Sequence, residues 1–274
     1  MRLTFVLAAL VLSVSGARAQ DPRQIVQKSV ELDQANWLRM KDYTWIARET
    51  ERHLDGSGRA KSEESKEWET VVIYGQPHRR MLKHDGAQLT ADEQRREQGK
   101  LDKALVKLQR ETPEQRERRL AKDEKEREKD REFLREVPDL YDFHLEGEQK
   151  IEETEVWVIT ATPKSGYKPK DKDAAGLLKV RGKLWIDKAE YQWVRIEAET
   201  TATISWGLFL ARLNPGAKLV FEQTRVNDEL WLPRREFVSG SARLGLVKKL
   251  SVEQELVWSN YRKFQVDSKI IATQ

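Results

Sequence analysis

From Val180 to Val266, apolar and polar positions alternate in short runs. The clearest are Gly182-Lys-Leu-Trp-Ile-Asp187, Tyr191-Gln-Trp-Val-Arg-Ile-Glu197, Lys218-Leu-Val-Phe-Glu222, Leu230-Trp-Leu-Pro-Arg234 and Leu250-Ser-Val-Glu-Gln-Glu-Leu-Val-Trp258. Side chains alternate across a strand with a period of two, so each run reads as a strand with two distinct faces. Leu184 and Ile186 point one way and Trp185 the other; Val194 and Ile196 oppose Trp193. Turn-forming segments separate the runs: Asn214-Pro-Gly216 ends one, and Asn227-Asp228 suits a tight hairpin. The pattern predicts an antiparallel meander around which the rest of the chain is organised.

Upstream, Pro22 to Met40 carries an imperfect helical stripe of Ile25, Val26, Val30, Leu32 and Trp37, with Asp21 as cap and Pro22 at the favoured first position. Tyr43 to Thr50, Lys66 to Tyr74 and Arg79 to His84 read as three strands, the last closed by the turn Asp85-Gly86. His144 to Thr162 gives two more around Glu152-Glu153. Val156-Trp-Val-Ile159 is apolar on both faces, as in a strand covered on both sides.

Between these groups the character changes. Thr90 and Glu93 have capping-box spacing, and Leu101, Ala104, Leu105 and Leu108 form a short apolar face. After Pro113, almost every residue from Glu114 to Glu132 is charged, in mixed sign. Opposite charges four residues apart support a helix by about 0.2–0.5 kcal/mol per pair. The segment over about 91–137 is therefore expected to be a helical insertion, either solvent-exposed or used to grip a partner.

Composition adds location. The first 19 residues combine Arg2, an apolar run from Leu3 to Val14 and the small-x-small site Ala17-Arg18-Ala19. This is the pattern of a cleavable secretory signal, with cleavage near Ala19-Gln20, an exported mature protein and no stable membrane insertion. Residues 20–274 are expected to form one domain. The 50 basic and 46 acidic residues nearly cancel, which speaks against nucleic acid as a partner. Absence of cysteine means that burial rather than disulfides must hold an exported fold together.

The repeated phrase "strand, short acidic turn, strand" carries a resemblance. It is clearest in Gly182-Lys-Leu-Trp-Ile-Asp187 followed by Trp193-Val-Arg-Ile-Glu197, and in Val220-Phe-Glu222 followed by Glu229-Leu-Trp-Leu-Pro233. In this the chain resembles the periplasmic LolA/LolB/RseB superfamily of outer-membrane lipoprotein carriers and related sensor domains. The resemblance implies an α+β fold: a strongly curved antiparallel sheet, an open, unclosed barrel, with helices on its concave side. It also implies an apolar cavity between helices and sheet that takes acyl chains. The charged stretch Glu114 to Glu132 departs from the carriers, and no ligand-binding position is carried over.

The four histidines, His53, His78, His84 and His144, fit no strong metal-ligand spacing. No nucleophile elbow, phosphate-cradling glycine loop or His-Glu-x-x-His motif is present in the sequence. Neither a catalytic residue, a metal ligand nor a cofactor is expected. What stands out is aromatic supply, with nine tryptophans. Trp157, Trp185, Trp193, Trp206, Phe209, Phe221, Trp231 and Trp258 either fill a core or line a cavity, and alternation alone leaves both open. Trp206 to Leu210 reads as an apolar lip or a membrane-touching loop, since such a run is costly in water. The expectation is a non-catalytic carrier of lipid or acylated protein. The alternative is an envelope sensor or interaction module that holds a protein partner through 114–132.

Overall fold

A computed structural model describes residues 20–206, 211–244 and 248–263. The expected leader over 1–19 and Phe209 lie outside them, as does the side chain of Trp206.

Helix α1 (Pro22–Arg39) starts where Asp21 accepts a hydrogen bond from the Arg23 amide at 3.0 Å. Its buried positions are Ile25, Val26, Ser29 and Asp33, one face at intervals of about four residues. The expected stripe was displaced: Leu32 and Trp37 are only half-buried, and an aspartate occupies the innermost line instead.

The strands are β1 (Tyr43–Leu54), β2 (Ala60–Ile73), β3 (Gln76–His84), β4 (Ala87–Gln88), β5 (Tyr141–Ile151), β6 (Thr154–Pro163), β7 (Val180–Asp187), β8 (Trp193–Thr200), β9 (Ile204–Trp206), β10 (Ala211–Leu213), β11 (Lys218–Val226), β12 (Leu230–Leu244) and β13 (Lys248–Lys263). They form one antiparallel sheet in the order β4-β3-β2-β1-β13-β12-β11-β8-β7-β6-β5, with β9 and β10 attached beside β12. The two ends of this path, β4 and β5, do not pair, so the sheet is an open barrel. Strand β13 is not at an edge: it lies between β1 and β12, with Tyr43 opposite Lys263.

Turn chemistry follows the residues. Asn227 and Asp228 both adopt positive φ, 51° and 53°, at the centre of the tight turn in which the Glu229 amide donates to the Val226 carbonyl at 3.0 Å. Between β3 and β5 lie α2 (Ala91–Gln109), α3 (Pro113–Asp130), a 3-10 turn at Glu132–Glu136 and a single helical turn, α4 (Val137–Leu140). Both long helices open with complete capping boxes, Thr90 with Glu93 and Thr112 with Gln115.

The sheet buries residues on both faces. On the inner face, under α1, Trp157, Ile159 and Ile186 meet Ile25 and Val26. Beside them Tyr43, Leu230 and Leu232 meet Met40. Fully burying side chains such as Ile25 or Ile159 contributes about 1.5–3 kcal/mol each. On the outer face Val156, Val194 and Trp231 form a separate cluster, flanked by Ile151 and Trp185. Strand β6 feeds both clusters, as its two-sided apolar sequence predicts.

Candidate binding face

The inner face has a polar centre. Asp33 of α1 keeps only 4% of its side chain exposed. Its Oδ1 accepts from Trp193 Nε1 at 2.8 Å and from Gln223 Nε2 at 3.1 Å. Its Oδ2 lies 2.8 Å from the guanidinium of Arg131, the C-cap of α3. One carboxylate thus ties α1 to β8, β11 and the end of α3. A buried charge needs such a set of donors to offset the loss of water. Arg131 also stacks over the Trp37 ring, 5.1 Å from its centroid, while Trp37 Nε1 donates to the Arg127 carbonyl at 3.2 Å.

Glu236 of β12 lies on the same side. Burial pushes its carboxyl above the ordinary value, and Arg131 pulls the other way. Burial, with help from Glu236, likewise raises the Tyr261 phenol, whose hydroxyl donates to the Pro233 carbonyl at 2.6 Å.

Register sorts the aromatic residues around this centre. Trp157 and Trp193 face inward and are closed over by α1. Phe221 lies opposite Ile196 and Glu236, on the same inner face. Trp258 lies opposite Ala47, and Ala47 opposite Trp68; Trp45 packs inward two residues earlier on β1. Phe221, Trp258, Trp68 and Trp45 are only half-buried. They form an interrupted aromatic row on the inner face: Ala47 stands between Trp258 and Trp68, Glu236 between Phe221 and β13, and Trp45 packs beside Met40, Tyr43 and Trp37.

Trp185 and Trp231 are elsewhere, on the outer face. Trp185 Nε1 donates to Gln149 at 3.0 Å, and Trp231 Nε1 donates to Glu190 at 2.5 Å. Two clefts are also found away from the row. One of about 300 Å³ lies over Val194, Arg195, Arg225, Trp231 and Arg234. Another of about 500 Å³ lies between β3 and the start of α2, lined by Arg80, Met81, Leu89, Gln94 and Glu97.

A bulge explains one departure from simple alternation. Trp185 pairs with Arg195 and Ile186 with Trp193, so Val194 is an extra residue in β8. Val194 therefore packs outward with Trp231, while Ile196 pairs with inward Leu184. The expectation that Val194 and Ile196 share a face is corrected by that insertion. Asp33, Arg131, Gln223 and Glu236 were not among the residues the aromatic pattern singles out. For Asp33 a signal existed: it lies four residues beyond Ser29 and eight beyond Ile25.

Helix α3 buries none of its residues. Its least exposed side chains, Arg116, Arg119, Asp123 and Arg127, recur at helical spacing, so its inward stripe is charged. Arg119 holds Glu111 at 2.9 Å and donates to the Tyr74 carbonyl at 3.1 Å. Arg116 stacks over Tyr74 at 4.5 Å, and Lys41 reaches Glu124 at 3.0 Å. Burial, with help from the Arg119 charge, keeps the His78 imidazole below its ordinary value. Among the described residues no helix is long and apolar enough to cross a membrane, and no cluster of three or more metal-ligating side chains is gathered.

No family model matches the chain, and no curated protein matches its sequence. Solved structures do. A domain assigned to outer-membrane lipoprotein sorting from Vibrio parahaemolyticus is similar at 12% identity, over 89% of this chain and 95% of that one, with a TM-score of 0.34. A LolA superfamily protein from Nitrosomonas europaea is similar at 11% identity, over 92% and 97%, with a TM-score of 0.30. MucB of Pseudomonas aeruginosa, solved with MucA, is similar at 13% identity, over 85% and 99%, with a TM-score of 0.22.

Proposed function

We propose that the chain is a non-catalytic carrier of the periplasm that binds a lipid or the acyl chains of a lipoprotein. The observation that carries this reading is the half-buried aromatic row of Trp45, Trp68, Phe221 and Trp258 on the inner face. Large apolar side chains left partly uncovered on a concave surface are suited to an apolar ligand. Each methylene buried there would contribute about 0.8 kcal/mol. The polar centre at Asp33 and Arg131 would mark the end of the acyl path and orient a headgroup.

The test is extraction of the purified mature protein and mass spectrometry of what is released. The expected result is stoichiometric lipid in the wild type and its loss in Trp258→Ala. A wild type that carries no lipid, and that takes up none from mixed micelles, removes the reading.

A second reading, an interaction module that holds an envelope protein through residues 114–132, is favoured by α3, which commits none of its residues to the core. Loss of a captured partner on deletion of 114–132, with the sheet intact by circular dichroism, would support it.

A further inference from the structure

The sheet parts at one place between neighbouring strands. Strands β8 and β11 pair from Glu199 and Lys218 as far as Arg195 and Glu222, and no further. Beyond that point β11 runs on to Val226 against β12 alone, while β8 runs back to Trp193 against β7. A bulge lies on either side of the split. Val194 is the extra residue in β8. Arg234 is the extra residue in β12, where Glu222 pairs with Arg235 but Gln223 pairs with Pro233. Bulges re-aim side chains and recur beside binding sites. Asp33 closes the split from the inner side through Trp193 and Gln223. Its outer side is left as the cleft of about 300 Å³.

This cleft combines an apolar floor with spare hydrogen-bond donors. Ile151, Val194 and Trp231 supply the floor. Arg195, Arg225 and Arg234 also line it. A guanidinium carries five N–H donors in a rigid planar fork. Carboxylates take part of that capacity: Arg195 meets Glu197 and Glu222, Arg225 meets Glu190 and Asp228, and Arg234 meets Glu152 through one nitrogen. The three arginine side chains keep 38%, 44% and 53% of their surface exposed, so these pairs contribute little and exchange readily. Two buried atoms have no hydrogen-bond partner at all, Arg195 Nε and Gln223 Oε1. Where the strands part, one donor and one acceptor are thus left unfilled.

A ligand that answers these features carries a carboxylate, an adjoining amide and one apolar side chain. The last residue of a peptide has all three. Its carboxylate suits the bidentate geometry of arginine, and its side chain suits the floor at Val194 and Trp231. The adjoining amide N–H is the kind of donor that Gln223 Oε1 lacks. A volume of about 300 Å³ is at the small end for ligand sites and matches one residue rather than a long chain.

We propose that the outer cleft captures the C-terminal carboxylate and the last apolar side chain of a peptide or protein partner, with Arg195 and Arg234 as donors to the carboxylate. The site lies on the opposite face of the sheet from the aromatic row and acts without it.

The probe is N-acetyl-leucine, added to protein carrying nitrogen-15 in its tryptophans. Trp231 Nε1 donates to Glu190, which also holds Arg225, so that indole signal reports on the cleft. It is assigned by its loss in Trp231→Phe. The expected result is a saturable shift with a millimolar Kd, as suits so small a ligand, while the Trp258 indole stays in place. N-acetyl-leucinamide, which lacks the charge, should bind at least about tenfold more weakly, and R195Q/R234Q should lose as much for N-acetyl-leucine. E152Q frees Arg234 of its glutamate and should bind about two- to fivefold more tightly. That variant tests the site even where the double variant does not fold. Absence of a saturable shift, equal binding of the amide, or an affinity unchanged in E152Q overturns the proposal. So does inorganic phosphate that binds as tightly as N-acetyl-leucine, since the apolar side chain would then contribute nothing.

Discussion

Trp193 Nε1 donates to Asp33 Oδ1 across 2.8 Å, joining the first helix to a strand 160 residues later. The same carboxylate holds Gln223 and Arg131. Asp33→Ala would strand the Arg131 guanidinium and two polar side chains in a shielded place. Removing one partner of a buried pair costs about 3–5 kcal/mol. Trp193→Phe deletes one hydrogen bond to a charged acceptor and should cost less, about 1.5–3 kcal/mol. Urea denaturation of the two variants checks the order.

Glu236 predicts a pH dependence of definite sign. Burial raises its folded-state value above the ordinary carboxylate range. As pH rises through that ordinary value, the unfolded chain gives up this proton before the folded one does. This group's contribution is therefore most favourable at acid pH and is lost as pH climbs through the raised folded value. Glu236→Gln removes the loss. Thermal unfolding should show the variant gaining on the wild type at pH 7, with the gain shrinking toward pH 4. A difference that grows toward acid contradicts the assignment.

The two faces of the sheet separate the effects of otherwise similar substitutions. Trp258 lies on the inner aromatic row and Trp231 in the outer cluster. Trp258→Ala should weaken lipid retention with a modest change in stability. Trp231→Ala empties a buried site and should cost about 3–5 kcal/mol while leaving retention per folded molecule unchanged. Lipid retention and urea midpoints measured together distinguish the two.

Gly75 sits at φ 79°, and a Cβ built there would lie 2.8 Å from a methyl of Leu120 on α3. Gly75→Ala meets both a backbone cost of about 1 kcal/mol and a clash at the side chain that rests on this turn. The variant should loosen α3 while leaving the strands in place. Hydrogen exchange should quicken across 113–130 and stay unchanged in β11 to β13.

Much of the fold is readable in the alternation. Val156-Trp-Val-Ile159 is apolar on both faces because β6 lies between two clusters. Asn227-Asp228 specifies a turn because both residues tolerate positive φ. Strand order is less accessible: nothing local in Leu250 to Trp258 says that β13 pairs with β1. The aromatic residues were visible as a class but not by face. A one-residue bulge at Val194 reverses the alternation of β8, and bulges carry no reliable sequence mark here. The polar centre was hidden for another reason: Asp33 and Arg131 are charged residues in charged surroundings, and only three-dimensional packing singles them out.

The place of β13 has a consequence for assembly. Among the described residues, 43–54 and 230–244 meet through residues 248–263, which are made after both. Until residue 263 has emerged, two long strands face each other across a missing member, each with the backbone groups of one edge unpaired while the other edge pairs with β2 or β11. A chain cut short before residue 248 should therefore be prone to capture another polypeptide along that slot. Pairings this distant in sequence are also slow to form.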